Sequence, residues 1–537
     1  MDCRTLPFRQ LPHQPKLFLQ FVDSFSRVAA FYAHPPTMQW VKREARKLKF
    51  PQEQRAEVVS ALRAQNEAFG SGAATLENLS RFEKGAFAVV TGQQVGLFSG
   101  PAYAIYKALT AIQLAEELTR SGVRAVPVFW MATEDHDLEE IRHSTWFEAG
   151  KLERFELPIT PEAGKPVGQI SLGPQVEEMA REAAALLSSQ GSDLLANFLR
   201  ESYRAEETYG SAFGKLFARL FAEHGLILLD PLDVRLHRVA APVYRQALED
   251  RDVLTEKLLQ RAKELEKADF PVQVKVTSRS TLLFRMCKGL RQAIGVSNGK
   301  FQSGDSSWTR EELFRLVEAE PECFSPNALL RSVVQDYLLP TAAYVAGPTE
   351  IAYFAQAEVI YRHLLGRMPV ILPRAGFTLL DAKAEKLLRH YHLKVEDVWS
   401  GSQELRRKME TSSVPKTLTK DFDTSVKQTE RMLSQLKKQI VRLDPTLAGA
   451  VETAQRKIAF QLEKLKGKAG QAQDQKAGLI AGHEEFLESL LYPHKALQSR
   501  ELCLLPFLAR WGTGGLKELQ KLCGSRTLKE HKILRIP

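Results

Sequence analysis

Residues 87–141 constrain this chain more than any other stretch. They read FAVVTGQQVGLFSGPAYAIYKALTAIQLAEELTRSGVRAVPVFWMATEDHDLEEI. Four apolar residues, Phe87, Ala88, Val89 and Val90, run into a turn that holds Gly92, Gly96 and Gly100. Pro101 suits the first turn of a helix, because its fixed φ is helical and its missing N–H is not needed there. Ile105, Leu109, Ile112 and Leu118 give that helix an apolar side, and Gly122 closes it. A second apolar run, residues 125–131, leads into Glu134, Asp135, His136 and Asp137. Strand, turn, helix and strand predict a βαβ unit. Its two post-strand loops would lie side by side at the strands' carboxyl ends, where α/β sheets bind ligands.

At 537 residues the chain is too long for one core, and further strands of the same kind are expected. Short apolar runs at 226–229, from about 341 with Tyr344-Val345 at its heart, and at 369–372 read as parallel strands, giving an α/β, Rossmann-like sheet with two large insertions. The organisation predicted is N-terminal helices over 1–86 that cover one face of the sheet, the first βαβ unit over 87–143, and a first insertion over 144–224. Core strand and helices follow over 225–270, a second insertion of antiparallel strands over 271–305, and the second half of the core over 306–400. In the first insertion, 167–172 reads as a strand and 160–164 as a turn. In the second, 272–276, 281–286 and 291–296 alternate as strands. Residues 401–500 read as a coiled-coil arm. Leu433, Leu436, Ile440 and Leu443 are spaced three, four, three, and the pattern resumes at Leu447, Val451, Ala454, Ile458 and Leu465 after Asp444-Pro445. Packing or dimerisation is the plain role of such an arm. Residues 501–537 would pack on the core, with 533–536 as an edge strand.

Two turns carry chemistry. Glycines let backbone N–H groups point into a concave turn in front of a helix's positive end, which suits phosphate or carboxylate. Thr91, Gly92, Gln93, Gln94, Gly96 and Gly100 are the candidates here. Their spacing matches neither G-x-G-x-x-G nor the P-loop, so a tight strand-to-helix connection is the competing reading. Lys107 is either a ligand cation or part of a solvated face. Glu134, Asp135, His136 and Asp137 are costly to bury without partners. They would orient an amine, supply His136 as a base, or hold Mg²⁺; the alternative is an acidic helix N-terminus. Gly347 and Glu350, in a third strand-to-helix turn, and Arg374, after the last strand, fall on the same sheet edge, where arginine suits a carboxylate or phosphate.

Composition narrows the class. No apolar run approaches the roughly 20 residues that span a bilayer, and the first residues lack an apolar signal core, which reads as a cytoplasmic protein. The net charge of +10 fits anionic ligands or a bland surface bias. The basic excess lies in the C-terminal third without the aromatic interleaving of a nucleic-acid platform. Five scattered cysteines, Cys3, Cys287, Cys323, Cys503 and Cys523, form no C-x-x-C pair, which argues against a structural metal and fits a reducing compartment.

The segments TGQQVGLFSGPAYAIYK, VFWMATEDHDLEEI, SPNALLR, YVAGPTEIAYFAQ and MPVILPR, with Leu497-Gln498-Ser499-Arg500 in the tail, together resemble the BshC family, the cysteine-adding enzymes of bacillithiol biosynthesis. Ser499 stands where the family pattern carries an acid, and Ser332 where proline is common. The resemblance implies a core related to nucleotidyltransferases and class I aminoacyl-tRNA synthetases, two connecting-peptide insertions and a coiled-coil arm that serves a homodimer. It implies that L-cysteine is joined through its carboxyl to the amino group of glucosaminyl-malate. By analogy with synthetases, ATP and Mg²⁺ would activate the carboxyl as an adenylate. His136, Asp135 and Asp137 are then the expected catalytic group. Glu134 and the glycine turn, with Lys107, Gly347, Glu350 and Arg374, are expected to bind substrates or a nucleotide. A synthetase-like nucleic-acid binder and a non-catalytic scaffold built on the arm are the competing classes.

Overall fold

The computed structural model describes residues 3–159, 164–287, 289–412, 416–474, 478–512 and 514–537; the turn expected at 160–164 falls outside them except for Gly164. Its centre is a five-stranded parallel sheet. The strands are β1 (Phe87–Gln93), β2 (Ala125–Met131), β3 (Ile227–Leu229), β4 (Thr341–Ala346) and β5 (Val370–Pro373), in the order β5-β4-β1-β2-β3. All seven side chains of β2 are buried, as expected of a parallel strand covered on both faces. Helix α1 (Tyr103–Arg120) packs on β1 and β2, α2 (Ala328–Leu338) precedes β4, and α3 (Pro348–Leu364) follows it. The helices Met38–Lys47, Gln52–Ala68 and Ala73–Glu83 pack on the sheet. The expected Rossmann-like core is therefore present.

Between β2 and β3 stand a hairpin, His143–Glu148 with Lys151–Glu156, and the helices Gln175–Ser189, Asp193–Ser202 and Tyr209–Leu220. The strand expected at 167–172 is a 3₁₀ turn, Val167–Gln169, because its backbone pairs with the loop after β2, where the Val167 and Gly168 N–H groups donate to the carbonyls of Asp135 at 2.7 Å and Thr133 at 2.9 Å, and with the loop before helix Tyr209–Leu220. Between β3 and β4 lies an antiparallel sheet in the order Ser306–Trp308, Lys300–Ser303, Leu290–Ser297, Ser280–Cys287, Phe324–Pro326. It runs past the expected limit at 305. The expected strand at 272–276 is not formed. Buried Gln356 of α3 accepts from the Val274 N–H at 3.1 Å and donates to its carbonyl at 2.6 Å, so the backbone groups meet a side-chain amide instead of a neighbouring strand.

The chain ends are also corrected. Residues 1–86 read as helical, yet Cys3–Pro7 is a strand. Glu530–Arg535, expected at an edge, is the middle strand of a three-stranded sheet, antiparallel to Cys3–Pro7 and parallel to Gly376–Leu380. The arm is formed as expected by Lys416–Leu443 and Ala448–Asp474. Asp444 caps the turn by accepting from the Thr446 N–H at 2.8 Å, and Lys437–Glu452 and Lys466–Asp423 pairs set the helices antiparallel. Leu433 and Val451 are buried in the arm, whereas Leu436, Leu443 and Leu465 are exposed. Among the described residues no helix is long and apolar enough to cross a membrane.

Candidate active site

The strand order reverses between β1 and β4, since the chain leaves β1 toward β2 on one side and returns to β4 on the other. Ligands of α/β sheets settle in the crevice at that point, and a cavity of about 590 Å³ opens there, inside the range of about 300–1,000 Å³ usual for ligand sites. Its walls come from the loops after β1, β2, β4 and β5, from α2 and from the C-terminal tail.

The glycine turn divides into two parts. Gly92, Gln93 and Gln94 line the cavity. Gly96 and Gly100 do not; a Cβ on Gly96 would lie 2.8 Å from the Gly100 Cα. Phe98, Ser99 and Gly100 all have left-handed φ, at 51°, 79° and 65°. Thr91 is buried, and its hydroxyl donates to the Val345 carbonyl at 2.9 Å. For these three residues the tight connection is the correct reading, because their space and hydrogen bonds are used inside the protein.

Lys107 is neither a free ligand cation nor a solvated residue. It is buried, and its ammonium donates to the Gly92 carbonyl at 2.7 Å, to Gln93 Oε1 at 2.9 Å and to the Glu350 carboxylate. An ammonium has three donors, and all three are used. Burial lowers the Lys107 pKa while Glu350 opposes the shift. Glu350 in turn accepts from Tyr344 Oη at 2.7 Å and from the Gly347 N–H at 2.7 Å. The N–H of Gly347, just before Pro348, is thus bound by the third residue of α3.

One wall of the cavity is acidic. Gln94 Nε2 donates to Asp135 Oδ2 at 3.0 Å and to Glu140 Oε2 at 2.9 Å, so a single amide gathers two carboxylates. Gln93 Nε2 reaches Glu140 Oε1 at 3.3 Å and Tyr103 Oη at 3.2 Å. Burial, then Asp137 and Asp135, raise the Glu140 pKa. His136 and Asp137 are exposed and lie outside the lining. Arg291 Nη1 stands 3.2 Å from His136 Nδ1. A guanidinium only donates, so that nitrogen accepts and its lone pair is taken. The expected base role of His136 therefore does not suit this geometry. Asp135 is the member of the expected catalytic group that faces the cavity.

Glu134 is buried behind this wall. Its Oε1 has no hydrogen-bond partner among the described residues and lies 3.8 Å from Nε2 of His237. Burial pushes the Glu134 carboxyl up to about 8 and holds His237 down at about 4, so both are neutral at pH 7. In the folded protein Glu134 keeps a proton that the unfolded chain releases near its ordinary value of 4.5. Taken alone, Glu134 lowers stability as pH rises from about 4.5 to about 8, but up to about 6.5 His237, neutral in the folded protein and protonated in the unfolded chain, offsets it, so the net fall is expected between about 6.5 and 8. Glu134→Gln fixes the neutral form, and thermal unfolding across that range is expected to show a flatter pH dependence in the variant.

Three guanidiniums also line the cavity. Arg374 projects from the end of β5, where burial and neighbouring Arg500 pull its pKa down to about 10, and its guanidinium lies 5.6 Å from the Tyr103 ring centroid. Arg331, on the first turns of α2, donates to Tyr353 Oη at 2.6 Å. Arg500 is exposed and comes from the tail. Gln498 holds that tail segment in place: it accepts from the Leu379 N–H at 2.7 Å and donates to the carbonyls of Leu379 and Leu490, each at 3.0 Å. Three guanidiniums fit carboxylate or phosphate groups. The two residues that depart from the family pattern lie beside these arginines: Ser332 Oγ donates to the Leu329 carbonyl at 2.7 Å, and Ser499 is buried.

Sequence reasoning did not place Arg331, Arg500, Glu140 or His143 at the site. Arg331 and Arg500 lie in segments quoted for the family resemblance, but no local spacing says that the tail folds back onto β5. His143 lines the cavity with Nδ1 unpartnered among the described residues, and burial lowers its pKa. Among the described residues no group of three or more His, Cys, Asp or Glu side chains is arranged to hold a metal ion.

Two family models match the chain. One is the N-terminal Rossmann-like domain of bacillithiol biosynthesis BshC, over residues 1–375, and the other is the C-terminal coiled-coil domain of the same family, over residues 377–536. Similar proteins carry the name "Putative cysteine ligase BshC". The one from Koribacter versatilis is 40% identical over 100% of this chain and 99% of its own length. That from Solibacter usitatus is 37% identical over 95% and 96%, and that from Salinibacter ruber 31% over 94% of each.

Proposed function

The chain belongs to the BshC family of bacillithiol biosynthesis, and from that premise we propose that it is a ligase that joins the carboxyl group of L-cysteine to the amino group of glucosaminyl-malate. The observation that carries this reading is the polarity of the cavity at the β1–β4 crevice. Asp135 and Glu140 line it together with Arg331, Arg374 and Arg500. Cysteine and glucosaminyl-malate each carry an amine and at least one carboxylate, so a cavity with both carboxylates and guanidiniums orients both. The arginines hold the malyl carboxylates and the cysteine carboxyl. Asp135, fixed by Gln94 and by the His136 N–H at 2.7 Å, receives the amine. Amide formation makes one C–N bond, breaks one C–O bond of the carboxyl, whose oxygen would leave on the phosphate of an activating nucleotide, and releases a proton from the amine; Asp135 takes that proton. Gln93 and Lys107 keep the end of β1 in place beneath the reacting groups.

A free carboxylate is a poor acyl donor, and a nucleotide of the ATP class with Mg²⁺ would supply the activation. Its phosphates fit the guanidiniums of Arg331, Arg374 and Arg500, and Glu140 suits a Mg²⁺ that keeps most of its ligands as water and phosphate oxygen. The reading also takes the core as related to nucleotidyltransferases and class I synthetases, with the segments between β2 and β3 and between β3 and β4 as its connecting-peptide insertions. Thiol profiling of cells that lack this gene tests the function. Loss of bacillithiol with accumulation of glucosaminyl-malate is expected, and bacillithiol at the wild-type level would refute it.

A further inference from the structure

Arg291 lies on strand Leu290–Ser297 of the antiparallel sheet, and its side chain is only 8% exposed. Its guanidinium covers the Phe284 ring at 3.9 Å, and its donors are shared between two loops. Toward the loop after β2, Nη1 lies 3.2 Å from His136 Nδ1 and 3.8 Å from Asp135 Oδ1. Toward the segment before α2, Nε donates to Ser325 Oγ at 2.8 Å and Nη2 to the Pro326 carbonyl at 2.7 Å. The next residue, Asn327, caps α2 through the N–H groups of Leu329 and Leu330, at 3.1 and 3.0 Å. Arg331 follows one turn on. The loop after β2 and the segment leading into α2 each bring a residue to the cavity, Asp135 from one and Arg331 from the other.

We propose that Arg291 is a positioning residue that fixes the distance between Asp135 and Arg331, so that an amine and a carboxylate are held in register for amide formation. Arg291 does not line the cavity itself. A rigid planar fork reaches both loops at once, whereas an ammonium on a flexible stem is a single point of charge. The inference rests on the ligase reading for its catalytic consequence and on the hydrogen bonds alone for its structural one.

Arg291→Lys and Arg291→Gln in the full chain test both. Turnover of L-cysteine and glucosaminyl-malate to amide is expected to fall about 100-fold in each, the loss that a displacement of about 1 Å produces, with KM for cysteine little changed. Peptide hydrogen exchange is expected to rise in 132–141 and 324–331 together, with the thermal midpoint near the wild-type value. Wild-type turnover in Arg291→Lys, or unchanged exchange in either loop, would overturn the proposal. So would a large drop in midpoint with exchange rising across the whole antiparallel sheet, because that marks a residue needed only for folding. If wild-type protein makes no amide while both loops are released in the variants, the ligase reading fails and the positioning role stands.

Discussion

Asp135→Asn is expected to lower amide formation by about 10²- to 10⁴-fold, the range over which a positioned acid–base group contributes, while leaving the protein folded. The substitution keeps the shape and the acceptor oxygen. Gln94 Nε2 and the His136 N–H, which meet the two oxygens of Asp135 at 3.0 and 2.7 Å, lose at most one acceptor. The side chain is 40% exposed, so little stability depends on its charge. What is removed is the proton acceptor facing the amine. Rates measured with purified protein, alongside thermal unfolding, separate the two effects. A rate within a few-fold of wild type would shift the acceptor role to Glu140 or His143. His136→Ala is expected to be milder, since His136 stands outside the cavity and acts through the loop.

Lys107→Met carries the largest expected cost in stability. The ammonium is buried and neutralises Glu350, which also accepts from Tyr344 and from the Gly347 N–H just before α3. Removing one partner of a buried pair typically costs about 3–5 kcal/mol, because the other charge remains without compensation. Glu350→Gln alone is also expected to be destabilising. The double variant should be more stable than the sum of the two losses predicts, since it leaves no buried charge. Chemical denaturation of the four proteins measures this coupling. Full additivity would show that the pair contributes nothing as a pair. The single variant should also lose activity, because Lys107 ties the end of β1 to the start of α3 across the crevice.

How far these residues could be read from the sequence depends on how local their signals are. The βαβ unit at 87–141 was legible because strand, glycine turn, helix and strand are each written in adjacent residues. The arm was legible for the same reason, through its three-four spacing. Strand Glu530–Arg535 was misjudged because its partners, Cys3–Pro7 and Gly376–Leu380, lie far away in the chain, one at its opposite end. Residues 272–276 alternate like a strand, yet the groups that pair with Val274 belong to Gln356, which no pattern in that segment announces. At the site, Gln93, Gln94, Asp135, Gly347, Glu350 and Arg374 were legible as residues at strand ends. Their division of labour was not. Lys107 looks like any helix-face lysine until the close approach of Gly92 and Glu350 is known, and His136 looks like a base until Arg291 occupies its nitrogen. Arg331 and Arg500 reach the cavity through long-range folding, which leaves no mark in their own neighbours.

One cavity lined by both carboxylates and guanidiniums is proposed to join an amino acid to an amino-sugar conjugate. Mass spectrometry of the purified chain incubated with L-cysteine, glucosaminyl-malate, ATP and Mg²⁺ reads that reaction. The expected product has the mass of the two substrates less one water, is absent when cysteine is omitted and is strongly reduced in Arg374→Met. Failure of wild-type protein to form that product, or equal yield from Arg374→Met, would contradict that proposal.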